Sequence, residues 1–186
     1  MKLATGLVSA ALAVFFLLIL QEFFPAVQSF HGARILLVPM VFFYVALAAP
    51  TWAMLLMAAY TGLLTDLMYL HIVEGQVEIG LGWSIVFFVV FGLLAHGFQP
   101  AFLRGHWWIH ILVAAAGTCA FLVGQYAMIC FRRQGLVFNE VVAWRILAPG
   151  LFAAIAAPVV HLLVVYGSHF FPPTPRLSAD GYKLGR

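Results

Sequence analysis

The sequence predicts an all-α, polytopic integral membrane protein with six transmembrane helices, and three observations carry that prediction. Of its 186 residues, 65% are hydrophobic and only 8% are charged, whereas a soluble globular chain is about 45–50% apolar and about 25% charged. Apolar runs recur along the whole chain, separated by short polar connections, and about 20 apolar residues suffice to cross the hydrocarbon core of a bilayer. Trp52, Trp83, Trp107, Trp108 and Trp144 each fall within a residue or two of a helix start read from hydropathy, where amphipathic indole rings collect at the headgroup level.

Taken in order, the first span covers 3–24. It is longer than the 7–15 residues of a secretory apolar region, and it ends in Glu22-Phe23-Phe24-Pro25 without a small-residue cleavage site, so it reads as a retained helix. A polar connection with Gln28, Ser29, His31, Gly32 and Arg34 leads to a second span over 35–49, which is short and contains Pro39. Pro50 marks a tight turn, because the residue before a proline avoids the α region. The third span then runs over 51–70. Residues 71–82, with His71, Glu74, Gln76, Glu78 and three glycines, form a loop.

The fourth span covers 83–103 and the fifth 107–131, joined by Arg104, Gly105 and His106. Arg132 to Arg145 is the longest internal polar stretch, and its scattered apolar residues suit an interfacial helix. The sixth span covers 146–171, and 172–186 form a short polar tail. With the amino terminus inside, five basic residues (Lys2, Arg104, Arg176, Lys183, Arg186) lie on the inner side and four (Arg34, Arg132, Arg133, Arg145) outside. That bias follows the positive-inside rule and places both termini in the cytoplasm. The basic residues form no continuous stripe, which excludes a nucleic-acid-binding class.

Asp66 is the most informative single residue. It lies inside the third span, in Gly62-Leu63-Leu64-Thr65-Asp66-Leu67, where a charged side chain calls for a partner or water. Candidate partners are His71, a residue of the 71–82 loop, Arg34 or Arg145. The plainest reading is a polar lock that fixes helix register, and catalysis or ion transport are the competing readings. An intramembrane aspartyl enzyme needs a second carboxylate sharing the site, but Asp180 is in the tail, Glu22 sits at the end of the first span, and Glu74, Glu78 and Glu140 are in loops.

His106 and His110 are four residues apart, the spacing of two ligands on one helix face, but they belong to no HExxH. His96, His161 and His169 meet only if the packing brings them together. Cys119 and Cys130 are eleven residues apart on one helix, too far to pair, and read as small buried hydrophobes. No GxSxG or phosphate-binding glycine loop is present. The residues therefore specify no catalytic site, cofactor or metal, and the expected class is non-enzymatic. Ala49-xxx-Ala53, Ala116-xxx-Ala120 and Ala153-xxx-Ala157 suit close helix–helix approach.

From Ile35 to about Tyr69 the sequence resembles the MreD family of bacterial rod shape-determining membrane proteins. The resemblance is carried by Pro39 early in the second span, by Tyr44 in the run that follows, and by the Gly62-Leu63-Leu64-Thr65-Asp66-Leu67 stretch, which is similar to the family's Gly-Leu-Leu-x-Asp-Leu pattern. Met40 stands where an acidic residue often follows that proline. The resemblance implies a six-helix bundle similar to the S-components of energy-coupling-factor vitamin transporters. It also implies a membrane scaffold of the cell-wall elongation machinery in the bacterial cytoplasmic (inner) membrane. That scaffold would act with MreC and, through it, with MreB, the RodA glycosyltransferase and its partner transpeptidase. Asp66, Gly62, Pro39 and Tyr44 would then be structural or interaction residues. The alternative function is that of a substrate-binding S-component, with the 71–82 loop as a lid.

Overall fold

A computed structural model of the chain describes residues 2–69, 72–73, 76–77, 82–135 and 138–167. Within them the chain is helical apart from one small hairpin: α1 (Lys2–Phe23), α2 (Val38–Ala48), α3 (Thr51–Met68), α4 (Trp83–His96), α5 (Gln99–Leu103), α6 (Trp108–Arg133) and α7 (Glu140–Gly167). A 3-10 turn over Gln28–Phe30 lies between α1 and α2. In the 71–82 loop, Ile72–Val73 pairs antiparallel with Gln76–Val77. Among the described residues four segments are long and apolar enough to cross a membrane: Gly6–Phe23, Thr51–Met68, Trp108–Arg133 and Glu140–Leu163. Over its described residues the chain is thus an apolar, predominantly helical membrane protein. The tail over 172–186, the last residues of the expected sixth span, His71, Glu74 and His169 lie outside the described residues.

α2 holds the bundle together. It is the shortest of the candidate spans, yet it packs against α1, α3, α4, α5, α6 and α7. Pro39 occupies its first turn, where a missing N–H costs nothing and the fixed φ suits a helix. At the other end Ala49 is extended (ψ 159°) and Pro50 is the N-cap of α3, so the expected span over 35–49 shortens to Val38–Ala48. Eleven residues rise only about 17 Å, well below the roughly 30 Å of hydrocarbon. Its sequence is apolar on every side because every side is covered: Val38, Met40, Phe42, Phe43, Ala46 and Leu47 are all buried. A helix that is hydrophobic all round belongs in a core.

Other boundaries also shift for identifiable reasons. The expected fourth span over 83–103 is broken at Gly97-Phe98 into α4 and α5. Pro100 lies in the first turn of α5, and within one continuous helix it would lack an N–H for the His96 carbonyl and clash with it. The sixth helix starts at Glu140, not 146, so Trp144 lies one turn inside α7. No separate interfacial helix occupies part of 132–145 among the described residues: α6 runs on to Arg133 and α7 begins seven residues later, at Glu140. Ala49 and Ala53 do not share a helix, because the Pro50 turn separates them.

α3 and α4 form one close antiparallel pair, and α6 and α7 another. In α3 the buried positions are Ala53, Met54, Met57, Ala58, Thr61, Gly62, Thr65 and Asp66, while Leu55, Leu56, Leu63 and Leu67 face outward. Small and polar residues inside with leucines outside is the pattern expected where lipid tails are as apolar as leucine and association depends on close packing. Ala153 and Ala157 follow the same rule, both fully buried in a cluster with Met40 and Ala114. Gly117 lets α6 ride over the Phe43 ring of α2, since a Cβ there would overlap that ring.

Candidate functional site

Two residues of the Gly62–Leu67 stretch act on one target, the amino-terminal turn of α4. Residues four apart on a helix share a face, so Gly62 and Asp66 both look toward α4. A Cβ on Gly62 would lie 2.5 Å from both Cα and N of Ile85, so only glycine permits this approach. One turn on, the Asp66 side chain accepts hydrogen bonds from the backbone N–H of Gly82 (Oδ2, 2.6 Å) and of Ser84 (Oδ1, 3.2 Å). The first N–H groups of a helix have no partner within it. Asp66 supplies acceptors from a neighbouring helix. Gly82, at φ 100°, turns the chain so that its own N–H reaches Asp66.

Of the expected partners for Asp66, a residue of the 71–82 loop is the one found, in the form of Gly82. The two arginines are engaged elsewhere. Arg34 Nη1 lies 3.9 Å from Glu22 Oε2, and Arg145 Nε donates to the His31 carbonyl at 3.0 Å. Asp66 is buried, 7% exposed.

Pro39 lines a small internal space beside this lock, together with Gln21, Thr65, Tyr69 and Phe88. A polar chain closes that end of the bundle. Gln21 Nε2 donates to the Tyr69 hydroxyl (2.7 Å) while its Oε1 accepts from the Leu37 N–H (3.2 Å). The Tyr69 hydroxyl in turn donates to Glu22 Oε1. Burial first, and then the adjacent Glu22 carboxylate, push the Tyr69 phenol above its ordinary value, which keeps it a donor. The chain ties the end of α1, the start of α2 and the residue after α3 to one another. The sequence gives little sign of it, because Gln21 and Tyr69 sit at the ends of apolar runs as unremarkable polar residues.

Tyr44 belongs to a separate cluster at the opposite end of the bundle. Its ring packs edge-on against Phe102 and His110, with centroids 5.7 and 5.1 Å away, and lies 6.0 Å from His161. His110 is fully buried and its Nε2 lies 3.1 Å from the Met40 carbonyl. His110 Nδ1 is buried and makes no hydrogen bond. His106, four residues away, precedes α6 and is exposed, so the two histidines do not share a helix face. His96 pins the turn between α2 and α3, reaching the Ala46 carbonyl through Nδ1 (2.9 Å) and the Thr51 hydroxyl through Nε2 (3.0 Å). Among the described residues no three His, Cys, Asp or Glu side chains gather as a metal site, and Cys119 and Cys130 are both free thiols.

The residues singled out from sequence thus fall into two places. Gly62 and Asp66 meet the start of α4, Pro39 lines the small space shared with Thr65 and Phe88, and Tyr44 stands apart among histidines and aromatics. The backbone donors at Gly82 and Ser84, the Gln21–Tyr69 chain and the buried His110 complete the picture. No family model matches the chain, and no curated protein or solved structure matches it.

Proposed function

We propose that the chain is a non-enzymatic membrane scaffold of the MreD type, serving the cell-wall elongation complex of a rod-shaped bacterium from the cytoplasmic membrane. In this reading all six helical segments span the bilayer, with α2 buried at the centre and α4 and α5 together forming the fourth crossing. Both termini are cytoplasmic. MreC is the direct partner, with RodA, its transpeptidase and MreB reached through it.

The observation that carries the reading is the state of Asp66. It is the residue on which intramembrane chemistry would depend, and both of its side-chain oxygens are occupied in holding the first N–H groups of α4. A group used this way fixes two helices against each other. It also gives a physical purpose to the Gly-Leu-Leu-x-Asp-Leu pattern: the glycine sets the distance between the helices and the aspartate sets their register.

The test is depletion in the source bacterium combined with affinity purification from its membranes. The scaffold reading expects rounded cells and recovery of MreC with the tagged chain. Recovery of a stoichiometric vitamin without MreC would overturn it in favour of a substrate-binding S-component.

A further inference from the structure

An open-sided groove of about 420 Å3 lies between α5 and the first turns of α6, lined by Phe98, Ala101, His106, Trp108, Ile109 and Leu112. Its wall is apolar except at the rim, where His106 stands. Arg104, on the turn between Ala101 and His106, is exposed and has no ion-pair partner among the described residues. Trp107 and Trp108 flank the same rim, each about half exposed, as expected of side chains at headgroup depth. From Trp108 to Leu112 the groove descends about 6 Å along α6.

The charge distribution separates the two ends of the bundle. The described carboxylates are Glu22 at the end of α1, Asp66 at the end of α3 and Glu140 at the start of α7. All lie at the end opposite α5, because α4 carries the chain from the Asp66 lock to the groove. A cation with no carboxylate at its own end among the described residues, above a lined apolar cleft at the membrane surface, is complementary to one class of molecule. We propose that this groove is a binding site for an anionic phospholipid, with the acyl chain along Ile109 and Leu112, the phosphate at Arg104 and the rest of the headgroup beside His106. The His106 Nδ1–H donates to the Ala101 carbonyl at 3.1 Å, which leaves Nε2 as an acceptor for a headgroup hydroxyl. The site stands whether or not the scaffold reading does, since it uses neither MreC nor Asp66.

Native mass spectrometry tests it on the full chain, released from nanodiscs holding equimolar phosphatidylglycerol and phosphatidylcholine with identical acyl chains. The wild-type protein is expected to retain one phosphatidylglycerol in about fivefold preference over phosphatidylcholine, the effect of one basic residue at a membrane surface. Arg104→Gln should reduce the preference to parity while a lipid is still retained. Ala101→Phe should fill the groove and lose both lipids. Equal retention of the two lipids by wild type, or an undiminished preference in Arg104→Gln, would overturn the proposal. So would full lipid retention by a folded Ala101→Phe. The wild-type comparison alone decides the case if either variant fails to fold.

Discussion

Gly62 of α3 lies against the Ile85 backbone of α4 at a distance that admits no side chain: a Cβ there would sit 2.5 Å from Cα and N of Ile85. In an exposed helix, Gly→Ala gains about 1 kcal/mol of helix propensity. Here the obstacle is backbone, which cannot rotate aside, and overpacking costs about 1–3 kcal/mol or more. Gly62→Ala is therefore expected to lower the thermal midpoint of the purified protein in detergent despite the better propensity. An unchanged or raised midpoint would show that α3 and α4 are not held this closely.

Asp66 contributes through two hydrogen bonds to the start of α4, so its substitutions should grade. Asp66→Ala removes both acceptors and leaves two N–H groups unsatisfied in an apolar setting, a loss of about 2 kcal/mol. Asp66→Asn keeps one acceptor and should cost about half as much. The order Ala below Asn below wild type in thermal stability is the expected outcome. Equal stability of all three would remove the lock from the account.

The fully buried pair Ala153 and Ala157 lets α7 close on Met40 and Ala114. Ala157→Leu adds three carbons where no space exists and should destabilise by about 1–3 kcal/mol. Leu162→Ala, on the outward face at 52% exposure, should change the midpoint little. Measuring the two variants side by side separates interhelical packing from a general effect of side-chain size in α7.

The six-span reading places Arg104 and Phe138 on opposite sides of the membrane. In a background with Cys119 and Cys130 replaced by alanine, Phe138→Cys should react with a membrane-impermeant maleimide in intact cells. Arg104→Cys should react only after the membrane is opened. Reaction of both in intact cells would contradict the topology.

Asp66 and Gly62 were legible in the sequence because a carboxylate in an apolar helix stands out, and because a glycine one turn before it falls on the same face. Their target was not legible. The donors are main-chain N–H groups of Gly82 and Ser84, and no side-chain pattern announces a backbone partner. Hydropathy located every described helix, yet it ran straight through Pro100, since it records apolarity and not the N–H that a proline lacks. It also undervalued α2, whose shortness follows from two prolines and whose uniform apolarity follows from burial on all sides. The pairing of Gln21 with Tyr69 joins residues 48 apart in sequence, and only the fold brings them together.

The central claim is that Asp66 holds helices together and performs no chemistry. The most direct measurement replaces the chromosomal copy with Asp66→Asn and records cell shape, MreC recovery and folded protein per cell. The account predicts that shape and MreC recovery follow the amount of folded protein, and return to normal when expression restores that amount. Loss of function by a variant that is as stable and as abundant as wild type would contradict it.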